Sequence, residues 1–131
     1  MINQKKIFIN KQHATIPAIF LDRDGVIIED CHYIKDPRQV KLCDGAMELI
    51  RYADESEWPV IVISNQSGIA RGLLDWDDYE RVTERMIALL GPAAPLAAIY
   101  ANGDGPNALA ESWRKPSPDM LIDAARSLNL N

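Results

Sequence analysis

Three short apolar runs recur along this chain, at residues 16–22, 60–64 and 96–100, the first two with β-branched residues. Each has the length and composition of a buried strand. A helical pattern follows each one. After the first, Asp44 stands as an N-cap, and Met47, Leu49, Ile50 and Ala53 follow at helical spacing. After the second, Asp75 is the cap, with Asp77, Asp78 and Glu80 in or near a first turn where the helix dipole favours negative charge. Tyr79, Val82, Met86, Leu89 and Leu90 form the apolar stripe of that helix, which Gly91-Pro92 ends. After the third, Pro118 suits a first turn, with Met120, Leu121, Ala124 and Leu128 facing inward. Strand alternating with helix predicts an α/β fold of Rossmann-like, three-layer type, with a parallel sheet and right-handed crossovers.

The remaining segments fill in around that frame. Residues 1–15, polar except for Ile7-Phe8-Ile9, read as a tail or a short strand, so the core is placed at 16–131. Segment 26–43 mixes Ile27, Ile28, Tyr33, Ile34 and Val40 with turn residues such as Asp36-Pro37, and reads as a hairpin-like flap. Residues 101–113 form a Gly/Asn/Asp-rich loop. A chain of 131 residues can bury one real core.

In a parallel α/β sheet, ligands sit beyond the carboxyl ends of the strands, and there the chemistry-bearing residues gather. The first strand runs into Asp22-Arg23-Asp24-Gly25. Two carboxylates two residues apart can divide the work: one attacks an electrophile while the other handles protons, because close carboxylates push one pKa upward. Gly25 permits the sharp turn that brings backbone N–H groups toward an anion. Taken alone, the pair also fits a turn with solvated acids. An EF-hand fits poorly, since its glycine does not directly follow the second acidic position. The second strand runs into Ser64-Asn65-Gln66-Ser67-Gly68, a source of hydroxyl, amide and backbone donors, which alone would equally read as an ordinary Asx or Ser turn. Arg114-Lys115-Pro116 brings two cations ahead of the last helix, Lys115 to neutralise a transferring phosphoryl group and Arg114 to fork onto a second oxyanion. Together the three segments suit phosphoryl transfer from a phosphate ester through an aspartate nucleophile.

Gly103-Asp104-Gly105-Pro106-Asn107-Ala108 also matches a dinucleotide fingerprint. We reject that reading: Pro106 removes a donor where a phosphate cradle needs one, more loop follows, and Asp123 falls within a predicted helix. The segment is expected to be a flexible substrate-side loop. His13 and His32 read as surface or locally bonded histidines. Trp58, Trp76 and Trp113 read as packing residues, with Trp113 close enough to Arg114 to line a site.

The net charge of −5 argues against a broad nucleic-acid or anionic-membrane surface, so an anionic ligand needs a local basic cluster, for which Arg71, Arg114 and Lys115 are available. Cys31 and Cys43 form no metal-type pair and no disulfide framework. No signal-peptide pattern and no run of membrane-spanning length is seen, which makes a cytoplasmic location the expectation.

In order and spacing, Phe20-Leu21-Asp22-Arg23-Asp24-Gly25, His32-Tyr33-Ile34, Ser64 through Gly72, and Arg114-Lys115-Pro116-Ser117-Pro118 resemble the haloacid dehalogenase superfamily of phosphohydrolases. The match is nearest to its heptose-bisphosphate and histidinol-phosphate phosphatase branch and covers about residues 16–128. The resemblance implies that Asp22 is the nucleophile, forming an aspartyl-phosphate, and that Asp24 protonates the leaving oxygen and then activates water. It implies that Ser64 and Lys115 hold the phosphoryl oxygens. It also implies that Asp30, Cys31, His32, Tyr33, Asn65, Gln66, Ser67 and Arg114 contact a small phosphorylated sugar. Magnesium on the Asp22 carboxylate and the Asp24 carbonyl would offset phosphate–carboxylate repulsion. No large cap domain is inserted after Gly25 or after the second strand.

The sequence departs from that pattern in three places. Val26 replaces a common threonine, a mild change. Residues 101–113 lack the Cys and His of the zinc loop found in close heptose-bisphosphate phosphatases, so no structural zinc is expected. The family's last acidic motif, which follows a further strand, is missing, and with it a magnesium ligand and a neighbour for the Asp22 strand. That leaves a buried strand as an exposed edge. Three readings stay open: a fragment of a longer phosphatase, an edge covered by residues 7–9 or by a second chain with possible self-association, or a binding module that no longer catalyses. Asp104 is the remote internal substitute for the missing acid.

Overall fold

The computed structural model describes residues 3–9, 16–109 and 111–130. His13 and most of the predicted tail lie outside the described residues. The elements run β1 (Gln4–Phe8), β2 (Ile19–Leu21), a single 3-10 turn (Pro37–Gln39), α1 (Ala46–Glu55), β3 (Val60–Asn65), α2 (Ser67–Ala70), α3 (Trp76–Leu90), β4 (Ala98–Asn102) and α4 (Asp119–Leu128). The sheet order is β1-β4-β3-β2. β2, β3 and β4 are parallel, with Phe20 opposite Ile61 and Val62 opposite Ile99, as the alternation of strand and helix predicts.

Side chains of β3 and β4 point alternately to two cores, one on each face of the sheet. Val60, Val62, Ile99 and Ala101 pack with Ile50 and Ala53 of α1 and Tyr79, Val82 and Met86 of α3. Ile61, Ala98 and Tyr100 pack with Met120, Ala124 and Leu128 of α4. Continuous apolar sequence in these two strands therefore reflects burial on both sides. The fold is a three-layer α/β arrangement.

The structure adds to or corrects the sequence expectations at four points. β1 is a real strand, but it joins antiparallel to the outer side of β4, with Lys6 opposite Tyr100, so the sheet is mixed. It therefore leaves the edge beyond β2 uncovered. Among the described residues β2 has only β3 as a ladder partner, apart from an isolated parallel bridge between Ile16 and Leu130. Asp75 caps α3 as expected, through a reciprocal capping box with Asp78. Asp44 does not cap α1. The N-cap is Gly45, whose φ of 83° is a turn geometry that glycine adopts without strain and aspartate less readily. Residues 26–43 do form a flap, anchored by the buried Ile27, Ile28 and Ile34 and by bridges from Ile28 to Asp24 and Leu42. Among the described residues no helix is long and apolar enough to cross a membrane.

Candidate active site

β2 ends at Leu21 and hands Asp22 to the carboxyl end of the sheet. Its carboxylate is fixed from two sides. Oδ1 accepts the Arg23 backbone N–H at 2.9 Å, and Oδ2 accepts Lys115 Nζ at 2.7 Å. Lys115 comes from ninety-three residues away in sequence and donates also to the Ile63 carbonyl at 3.3 Å. Its backbone is held by Asn65, whose amide takes the Lys115 N–H at 2.9 Å and donates to the Lys115 carbonyl at 3.3 Å. That amide pair anchors the Arg114-Lys115-Pro116 segment to the end of β3, and it is the reason the cation arrives beside Asp22.

Asp22, Asp24, Asp30, His32, Tyr33, Asn65, Gln66, Ser67 and Lys115 line one polar hollow of about 340 Å³. All nine are residues singled out from the sequence. The flap supplies its outer wall. Asp30 Oδ1 accepts the His32 N–H at 3.1 Å, and His32 and Tyr33 then take left-handed backbone at φ 48° and 55°. For non-glycine residues that conformation costs roughly 1–2 kcal/mol each, so the wall is held in place by its neighbours. The Tyr33 ring lies against Gly68 and under the Arg71 guanidinium, 5.8 Å from the ring centroid.

Other predicted residues stand away from the hollow. Ser64 is buried directly beneath it, its hydroxyl accepting Gln66 Nε2 at 3.2 Å. Cys31 is exposed on the flap, with its thiol turned to the Glu29 carbonyl. Arg114 Nη1 donates to the Asp104 carbonyl at 2.9 Å, which takes the guanidinium into the 101–113 loop. Asp104 accepts from Ser112 at 2.6 Å and Asn102 at 3.3 Å and lines a separate hollow with Asn3 and Glu111, so it does not replace the missing acid. Trp113 packs against Tyr100 in the second core.

Arg23 was not read as a site residue, yet it is fully buried and forked onto Asp24, with Nε 3.0 Å from Oδ1 and Nη2 3.3 Å from Oδ2. Beneath it lies Tyr79, whose phenol burial pushes up, against the pull of the Arg23 cation. The one sequence signal for this role is position: a cation placed between two acids at a strand end has a partner within reach.

The donors offered to a cation here are oxygens, from Asp22 and Asp24, which suits a hard ion such as magnesium. Both Asp24 oxygens are engaged by Arg23 and Gln66. Among the described residues no group of three His, Cys, Asp or Glu is placed to hold a metal ion. One carboxylate with water and substrate phosphate still makes an acceptable magnesium set, since that ion dehydrates reluctantly and binds through few protein ligands.

No protein-family profile matches the chain. It is 37% identical over 123 residues to the D-glycero-beta-D-manno-heptose-1,7-bisphosphate 7-phosphatase of Mesorhizobium japonicum, an alignment covering 88% of this chain and 57% of that protein. A crystal structure from Mesorhizobium loti, described as a HAD-like phosphatase, superposes with a TM-score of 0.84 at 34% identity over 97% of this chain and 64% of that one. The D,D-heptose 1,7-bisphosphate phosphatase of B. bronchiseptica, solved with magnesium and phosphate, gives a TM-score of 0.76 at 32% identity, covering 86% of this chain and 63% of that one. The chain thus spans less than two thirds of the length of each. By sequence and by fold together, the chain is similar to heptose-1,7-bisphosphate phosphatases and to a HAD-like phosphatase.

Proposed function

We propose that this chain carries the core of a phosphomonoester hydrolase that acts on a small sugar phosphate, with heptose 1,7-bisphosphate as the leading substrate, through an aspartyl-phosphate on Asp22. The observation that carries the reading is the Asp22–Lys115 contact of 2.7 Å at the wall of a polar hollow that Asp24 also lines. Asp22 attacks phosphorus. Lys115 balances charge on the phosphoryl oxygens. Asp24 gives a proton to the departing sugar oxygen and later takes one from the water that opens the acyl phosphate. Ser64, hydrogen-bonded to Gln66, steadies that amide from below. Magnesium, held by the Asp22 carboxylate and the Asp24 carbonyl, supplies further charge neutralisation when bound. Asp30, His32, Tyr33 and Ser67 face the sugar. The two free thiols suit a reducing compartment, the cytoplasm.

Asp22→Asn tests the assignment. Phosphate release from the sugar bisphosphate, measured with and without magnesium, is expected to fall on the order of 10³-fold or more, with the thermal unfolding curve retained. Magnesium-dependent release persisting in that variant would remove Asp22 as nucleophile. A second reading, a module that binds phosphosugars without turning them over, draws on the engagement of both Asp24 oxygens and on the absence of a three-acid cluster among the described residues. Turnover by the unaltered chain excludes it.

A further inference from the structure

Arg23 is the largest of the fully buried side chains, at 0% exposure. A guanidinium leaves water only at high cost unless each face of it finds a partner. Here every part of it does. Nε and Nη2 fork onto the two oxygens of Asp24, Nη1 donates to Thr83 Oγ1 at 3.0 Å, and Nη2 also reaches Gln66 Oε1 at 3.4 Å. The plane of the group stands over the Tyr79 ring, 4.8 Å from its centroid. Gln66 closes the circuit, with Nε2 2.9 Å from Asp24 Oδ2. Tyr79 and Thr83 are one turn apart on α3, a helix that contributes no side chain to the lining of the hollow.

We propose that Arg23, seated on Thr83 and Tyr79 and completed by Gln66, is a positioning clamp that aims the Asp24 carboxylate at the leaving group. The inference rests on the reading of Asp24 as the proton donor. Asp24 stands immediately before the turn at Gly25 and its side chain is 26% exposed, so it has room to rotate. Donors from Arg23 and Gln66 on both oxygens remove that freedom. Because the guanidinium is planar and forked, it fixes the plane of the carboxylate as well as its place, which a lysine cannot do. The clamp also links the acid to the α3 side of the core, so its aim depends on a helix that lines no part of the hollow.

Leaving-group chemistry distinguishes a clamp from a simple internal brace. An alkyl sugar phosphate needs its departing oxygen protonated, whereas p-nitrophenyl phosphate departs unaided. Thr83→Val keeps the volume and removes one seat of the guanidinium, and Arg23→Lys keeps the charge and removes the fork. Each is expected to lower kcat on the sugar phosphate about tenfold or more, with p-nitrophenyl phosphate changed by about twofold or less. Equal losses on both substrates, or no loss on either, overturn the clamp. Crystal structures of the two variants give an answer that does not need turnover. Asp24 swung from its present orientation supports the clamp, and an unmoved Asp24 overturns it. Failure of the unaltered chain to hydrolyse either ester would count against the phosphatase reading alone, with the orientation of Asp24 still deciding the clamp.

Discussion

Gly68 stands where the loop after β3 meets the flap. A Cβ there would lie 2.4 Å from Leu74 Cδ2 and 2.8 Å from Tyr33 Cδ1. Leu74 is buried, and Tyr33 is already held in left-handed backbone, so neither yields easily. Gly68→Ala is therefore expected to cost about 1–3 kcal/mol by overpacking, read from urea unfolding. It should also displace Tyr33, raising KM for the sugar phosphate more than it lowers kcat. A KM unchanged in a destabilised protein would show that the Tyr33 wall does not touch substrate. Legibility at this scale followed locality. Asp22, Asp24 and Lys115, singled out from the sequence, do come together at one hollow, the two acids through one short turn after β2 and Lys115 through the segment before α4. The partners of Arg23 could not be read in the same way, since Gln66 and Thr83 stand 43 and 60 residues away and only the fold brings them in. Arg114 and Lys115 were both assigned to anionic oxygens, but only Lys115 lines the hollow, while the Arg114 guanidinium donates to the Asp104 carbonyl.

At the scale of elements, the sequence marks strands and helices well where burial is two-sided or a cap is present, as in β3, β4 and α3. It marked the placement of β1 poorly, because a five-residue strand with two lysines carries no information about which edge it joins. The structure shows what draws it to β4. Asp123 of α4 accepts Tyr100 Oη at 2.6 Å and Lys6 Nζ at 3.1 Å, joining β1, β4 and α4 at one carboxylate. Burial pushes the Asp123 carboxyl up, but the hydrogen bonds from Tyr100 and Lys6 and the Lys6 charge outweigh it, so the net shift is downward. A carboxylate whose folded pKa lies below its unfolded value stabilises fully above the unfolded value, and the gain is lost as pH falls through the folded one. Asp123→Asn should thus cost about 1 kcal/mol at pH 7, and the gap to the unaltered protein should shrink steadily below about pH 4. Urea unfolding at a series of pH values checks this. A gap independent of pH would mean that packing, and not charge, joins the three elements.

For the molecule as a whole, the open question of the sequence becomes a specific one: the outer side of β2. Ile19 donates its N–H to the Pro59 carbonyl on the β3 side, at 2.9 Å. Backbone groups alternate along a strand, so the N–H and C=O of Phe20 point the other way, toward the edge where no ladder partner stands among the described residues. Such an edge invites pairing with another chain, and proteins blunt it by keeping it short or by placing proline on it. Both devices are present, since β2 has three residues and Pro17 precedes it. They should reduce association to a weak, concentration-dependent one without abolishing it. Sedimentation velocity across micromolar concentrations is expected to show a rising average s-value. Hydrogen exchange locates the contact: the Phe20 amide should exchange fast in dilute protein and become protected as concentration rises, while Ile19 and Leu21 remain protected throughout. A rising s-value with unchanged Phe20 exchange would move the contact to another face, such as the apolar hollow formed by Ile9, Ile87 and Leu96. A constant s-value with fast Phe20 exchange would show that a three-residue edge beside a proline is too short to recruit a second copy.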